Sequence, residues 1–146
     1  MRIGIDDRGR YEYLSRLDPA LRNTARHAVK SLHRGGEQLF CFPQNLVEFW
    51  NVSTRPANRN GLGFSPEQAG RYLDRFQTIL RLLPETPELF IAWRTLVAQH
   101  RVSGIQVHDA RIVAAMAVHQ VNKILTFDLK DFKRYGHITV IHPSTF

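Results

Sequence analysis

Residues 107 to 120, "VHDARIVAAMAVHQ", are apolar around nearly the whole circumference that a helix would present, broken only by His108, Asp109, Arg111, His119 and Gln120. A helix without a broad polar face does not lie on a surface; it has to be packed between layers. The β-rich run "KILTF" follows at once. A layered α/β architecture is therefore expected at this point of the chain.

The rest of the sequence repeats the alternation: "RIGI", a helix, "QLFCF", two helices, "LRLL", two helices, "KILTF" and "HITVIH". Parallel strands cannot be joined by hairpins and need crossovers, so these helices predict a parallel sheet covered on both faces. Local signals place them. Leu21, Ala25, Ala28, Val29 and Leu32 fall on one stripe of residues 20 to 34, which Gly35 and Gly36 terminate. Pro43 suits the first turn of "PQNLVEFWNVST", and Ser65 with Gln68 forms a capping box for "PEQAGRYLDRFQTIL". Thr86 and Pro87 start a further helix with Leu89, Trp93, Leu96 and Val97 on one side. Between them, "STRPANRNGLGFSP", residues 53 to 66, reads as a flexible internal loop broken by Pro56, Asn60, Gly61 and Gly63.

No repeat, charge block or linker divides the 146 residues, and a hydrophobic fraction of 43% suffices for one core, so residues 1–146 are expected to form a single domain. Lys plus Arg exceed Asp plus Glu by 20 to 13, a net +7. Most of that basic side is arginine, whose planar fork suits phosphate, so a polyanionic partner is expected. The lone Cys41 excludes an internal disulfide and a cysteine metal cluster. No signal-peptide core and no apolar run of about 20 residues is present, which points to a cytoplasmic protein without membrane contact.

In parallel α/β sheets ligands gather beyond the carboxyl ends of the strands. Asp6 follows "RIGI" and Asp128 follows "KILTF", so both are expected at that edge, and Asp109 in the first turn of its helix can reach it. Glu48 inside "LVEFW" is an unusual place for an ionised side chain. Each has an ordinary alternative as helix-start, turn-forming or solvent-facing acid, and Asp131 of "DLKDF" can simply start the turn "DFKRY". Converging carboxylates repel and need a compensating cation, and oxygen-only donors select a hard ion such as Mg²⁺ or Mn²⁺. A basic surface around an acidic pocket is the pattern of a nuclease.

Other chemistries fit less well. Ser103, His108 and Asp109 are too close in sequence to serve as a triad, the seven histidines lack metal-ligand spacing, and "NGLG" lacks the Gly-Lys-Ser/Thr ending of a phosphate loop. Trp50 and Trp93 lie on apolar stripes and are read as core.

Taken in order, "PQNLVEFWNVSTRP", "NGLG", "VHDARIVAAMAVHQVNKILTFDLKDF" and "ITVIHP" closely resemble the PIN domain, and within it the VapC-type toxins of bacterial toxin–antitoxin pairs, over roughly residues 14 to 146. The resemblance implies a three-layer α/β/α sandwich with a central, mostly parallel sheet and a metal-dependent endoribonuclease. It implies catalytic and metal-binding roles for Glu48, Asp109 and Asp128, with Asp131 as an accessory acid and Thr126 holding the Asp128 carboxylate or a phosphate. It also implies a small antitoxin as partner and a homodimer.

The amino terminus departs from the family pattern of strand, then Asp-Thr-Asn, then helix. Asp6 follows the alternating Ile3 and Ile5 and is taken as the remaining acid, yet Asp7 and Arg8 stand where Thr and Asn belong, and "GRYEY" intervenes before "LSRLDP". The expected function is thus cleavage of RNA, single-stranded rather than duplex, with Arg55, Arg111 and Lys130 holding its backbone. The alternative is a degenerate, non-catalytic PIN-like domain that binds RNA or protein without the first acid.

Overall fold

The computed structural model describes residues 2–5 and 19–146. Among these, β1 (Arg2–Ile5), β2 (Gln38–Cys41), β3 (Arg81–Leu82), β4 (Lys123–Leu125) and β5 (Thr139–Ile141) form one sheet in the order β3-β2-β1-β4-β5. Every neighbouring pair is parallel, with Ile3 beside both Leu39 and Lys123, and Ile5 beside Leu125. The crossovers expected from the alternation are α1 (Pro19–Arg34), α2 (Pro43–Thr54), α3 (Pro66–Gln77), α4 (Glu88–Gln99) and α5 (Val107–Val118), with a short α6 (Leu129–Phe132) after β4.

Alternation along the strands divides the core in two. Leu39 and Cys41 of β2 pack with Ala28 and Leu32 of α1, Leu46 of α2 and Leu80. Phe40, between them, faces the opposite way and packs with Ile124 of β4, Leu89 of α4 and the run from Ile112 to Met116 of α5. The α/β/α sandwich is the result. α5 is enclosed by the sheet on one side and α4 on the other, which is why it needs no polar face. Trp93 Nε1 ties these two helices by donating to the Val107 carbonyl at 3.0 Å.

Four expectations are revised. The helix predicted through Leu80 stops at Gln77, because the Thr78 hydroxyl and N–H both turn onto the Arg75 carbonyl and close the last turn tightly. Trp50 is 38% exposed rather than core, since α2 meets the body of the protein with Leu46 and Phe49 instead. The turn expected to begin at Asp131 begins after Asp128 and contains Asp131. The loop expected to be flexible is folded back on α2: Leu62, Phe64 and Gly63 donate N–H groups to Val52, Ser53 and Arg55 at 3.1, 2.8 and 2.9 Å. Those carbonyls end a helix and need partners, and Leu62, 1% exposed, seals the junction. Among the described residues no helix is long and apolar enough to cross a membrane.

Candidate active site

From β1 the chain moves to β2 and β3 on one side, whereas β4 lies on the other side of β1. The crossovers therefore part above the β1–β4 pair and leave a crevice at its carboxyl edge. The described acids singled out in the sequence, Glu48, Asp109, Asp128 and Asp131, belong to three different segments, α2, the start of α5 and the chain from β4 into α6.

Asp109 lies in the first turn of α5 and is 5% exposed, where the helix dipole favours a carboxylate. Tyr135, just beyond α6, is 1% exposed and stacks edge-on against His100 with ring centroids 5.0 Å apart. Burial raises its phenol above the ordinary value of 10.0; the Arg134 charge opposes this, while Asp109 and Asp131 both add to it. One phenol thus senses carboxylates from α5 and α6 together.

Glu48 is half-buried midway along α2 and is held by Gln44, one turn earlier. Gln44 Nε2 donates to Glu48 Oε1 and to the His108 carbonyl, each at 2.9 Å. The same amide's oxygen accepts from Arg111 Nη1 at 3.0 Å, and Arg111 Nη2 pairs with Glu85 at 2.7 Å. One side chain therefore joins the Glu48 carboxylate to the residue preceding Asp109. Asp128 stands between β4 and α6, and its main-chain N–H donates to the buried Thr126 hydroxyl at 2.9 Å. Thr126 thus fixes the backbone of Asp128.

The three basic residues expected at the rim are placed differently from one another. Arg111 is occupied by Gln44 and Glu85. Lys130 is exposed on α6 beside Asp131. Arg55 follows the last residue of α2, seven residues past Glu48, or about 10 Å along a helix axis. Among the described residues no three His, Cys, Asp or Glu side chains lie close enough to enclose a metal ion. Asp6, on which the remaining acid was placed, and with it Asp7 and the intervening "GRYEY", lie outside the described residues. The donors present are carboxylate oxygens, which suit a hard divalent ion rather than a soft one. Sequence reasoning missed Gln44 and Tyr135. The Gln-x-x-x-Glu spacing of Gln44 and Glu48 was the available signal for the first; nothing local marked the second.

A family model described as PIN domain matches residues 17–138. Among solved structures, VapBC2 from Rickettsia felis bound to a DNA fragment from their promoter is similar at a TM-score of 0.67 and 15% identity, covering 97% of this chain and 98% of that one. VapBC-1 from nontypeable Haemophilus influenzae gives 0.66 and 13%, covering 99% of each chain. FitAB bound to an IR36 DNA fragment gives 0.60 and 16%, covering 97% of this chain and 95% of that one. No curated protein matches the sequence.

Proposed function

Because the chain belongs to the PIN domain family, we propose that it is a divalent-metal-dependent endoribonuclease that hydrolyses RNA phosphodiester bonds at the carboxyl edge of its sheet. The observation that carries this reading is the Gln44 bridge, which links Glu48 of α2 to the start of α5 where Asp109 is buried.

In this reading Asp6, Glu48, Asp109 and Asp128 hold Mg²⁺ or Mn²⁺, with Asp131 beside them. Such an ion, when bound, supplies an activated water and neutralises charge on the phosphate. The protein's own residues do the positioning. Gln44 fixes the Glu48 carboxylate, Thr126 fixes the chain at Asp128, and the burial of Asp109 keeps bulk water from its carboxylate. Arg55, Arg111 and Lys130 take the RNA backbone on either side, which requires Arg111 to exchange Gln44 or Glu85 for phosphate. A single strand is preferred, since it bends into a recessed site more readily than a duplex.

The VapBC and FitAB neighbours support a place for the protein as the toxin of a cytoplasmic toxin–antitoxin pair, with a small antitoxin covering the acid edge. A homodimer belongs to the same reading, and sedimentation equilibrium showing only the mass of one chain would remove it. For the chemistry, labelled single-stranded RNA is incubated with the protein in Mg²⁺ or Mn²⁺, with Asp109→Asn and with EDTA. Cleavage is expected from the parent alone. Equal cleavage by parent and variant eliminates the assigned site, and RNA binding without cleavage identifies a non-catalytic member of the family.

A further inference from the structure

We propose that the exposed face of α1 is a docking strip for the phosphate backbone of single-stranded RNA, separate from the acid edge and leading to it. The proposal rests on the ribonuclease reading and adds a binding site to it.

α1 contains no aspartate or glutamate. Its outer face carries Arg22, Arg26, Lys30 and Arg34 at intervals of four residues, flanked by His27 and His33, and all six are exposed. Residues four apart are neighbours on a helix surface, so these cations form an inclined row that rises about 18 Å in steps of about 6 Å and turns about 120° around the helix from Arg22 to Arg34. Like charges at this spacing oppose helix formation, and Arg22, in the first turn, also faces the positive end of the helix dipole. α3 shows the usual solution, with Glu67 and Arg71 of opposite sign four apart. The inner face of α1 is anchored by Ala28 and Leu32 in the core, so packing accounts for that side and not for the cationic one.

The chemistry of the row identifies its occupant. Evenly spaced cations match an evenly charged polymer and provide contacts that do not depend on base sequence. A folded protein partner would need a central apolar or aromatic anchor, and the exposed face of α1 offers no large apolar side chain. The topology supplies the direction. α1 returns the chain from the carboxyl edge, where β1 ends, to the amino edge, where β2 begins, so Arg22 is at the end of the row nearer the candidate site and Arg34 at the far end.

The test is a triple variant, Arg22→Gln, Arg26→Gln and Lys30→Gln, whose changes all lie on the solvent side. Binding of a fluorescent single-stranded RNA of about 20 nucleotides is followed by anisotropy in EDTA, across about 50 to 200 mM salt. The variant is expected to bind at least tenfold more weakly at low salt, with a slope of log K against log salt shallower by about 2, from about 0.7 per lost phosphate contact. The charge-conserving variant Arg22→Lys, Arg26→Lys is expected to bind as the parent does, which separates charge from any loss of folding. Unchanged affinity and slope in the triple variant, or failure of the parent to bind RNA at low salt, overturns the proposal. Competition by poly-glutamate as effective as that by RNA also overturns it, in favour of an acidic protein. Because binding is read without divalent metal, the result stands apart from the cleavage assay with Asp109→Asn, in which the nuclease reading fails or survives by itself.

Discussion

Gln44 uses three of its four hydrogen-bonding positions on groups from separate parts of the site: the Glu48 carboxylate, the His108 carbonyl and the Arg111 guanidinium. Gln44→Met keeps the volume and removes all three. It is expected to lower Mn²⁺ affinity about 10- to 100-fold, the usual effect of losing a group that orients a ligand; titration calorimetry with Mn²⁺ checks it, and unchanged affinity would leave Gln44 a purely structural residue. Tyr135 gives a second residue-level test. Its folded phenol titrates above 10.0, first through burial and then through Asp109 and Asp131, against the opposing Arg134. A raised value means that its contribution to stability is complete below pH 10.0 and is lost as pH rises from there through the folded value. Asp109→Asn removes one raising cause, so the tyrosinate absorbance midpoint is expected to move down toward 10.0. Asp109 was legible as a first-turn acid from sequence alone; its electrostatic link to Tyr135 depends on α5 and the chain after α6 meeting in space.

At the scale of elements, the segment after α2 holds the closest backbone approach of any described glycine. A Cβ at Gly61 would fall inside the van der Waals envelope of the Arg55 carbonyl, so no larger residue fits without moving backbone. Gly61→Ala is expected to cost about 1–3 kcal/mol by overpacking, measured by urea unfolding; a smaller change would mean that the loop relaxes freely. The glycines and proline of this loop were visible in the sequence as breakers, but a breaker marks where a helix stops, not what the following chain packs on. The Ser65–Gln68 capping box was readable because both halves lie within one turn: Ser65 Oγ accepts from the Gln68 N–H at 3.2 Å and Gln68 Oε1 accepts from the Ser65 N–H at 2.8 Å. Leu62 and its hydrogen bond to Val52 span the whole loop and left no comparable trace.

For the whole molecule, the sheet separates two cores, and the three-residue β4 contributes a buried side chain to each, Ile124 to one and Leu125 to the other. Ile124 is fully buried among α5 and Phe40. Ile124→Ala is expected to cost about 2–5 kcal/mol in chemical denaturation, because α5 and the sheet cannot close the cavity without sliding past α4. The sequence by itself determined the alternation of helix and strand, the two-sided burial of α5, the net charge of +7 and the placing of acids near strand and helix ends. Those properties follow from periodicity and composition, which act over a few residues. Only the tertiary structure decided that β4 lies beside β1, that Gln44 reaches His108 across 64 residues, and that the cations of α1 line one open flank. Periodicity tells a side chain whether to face inward, but strand neighbours and distant hydrogen bonds are chosen by how the packed layers fit together.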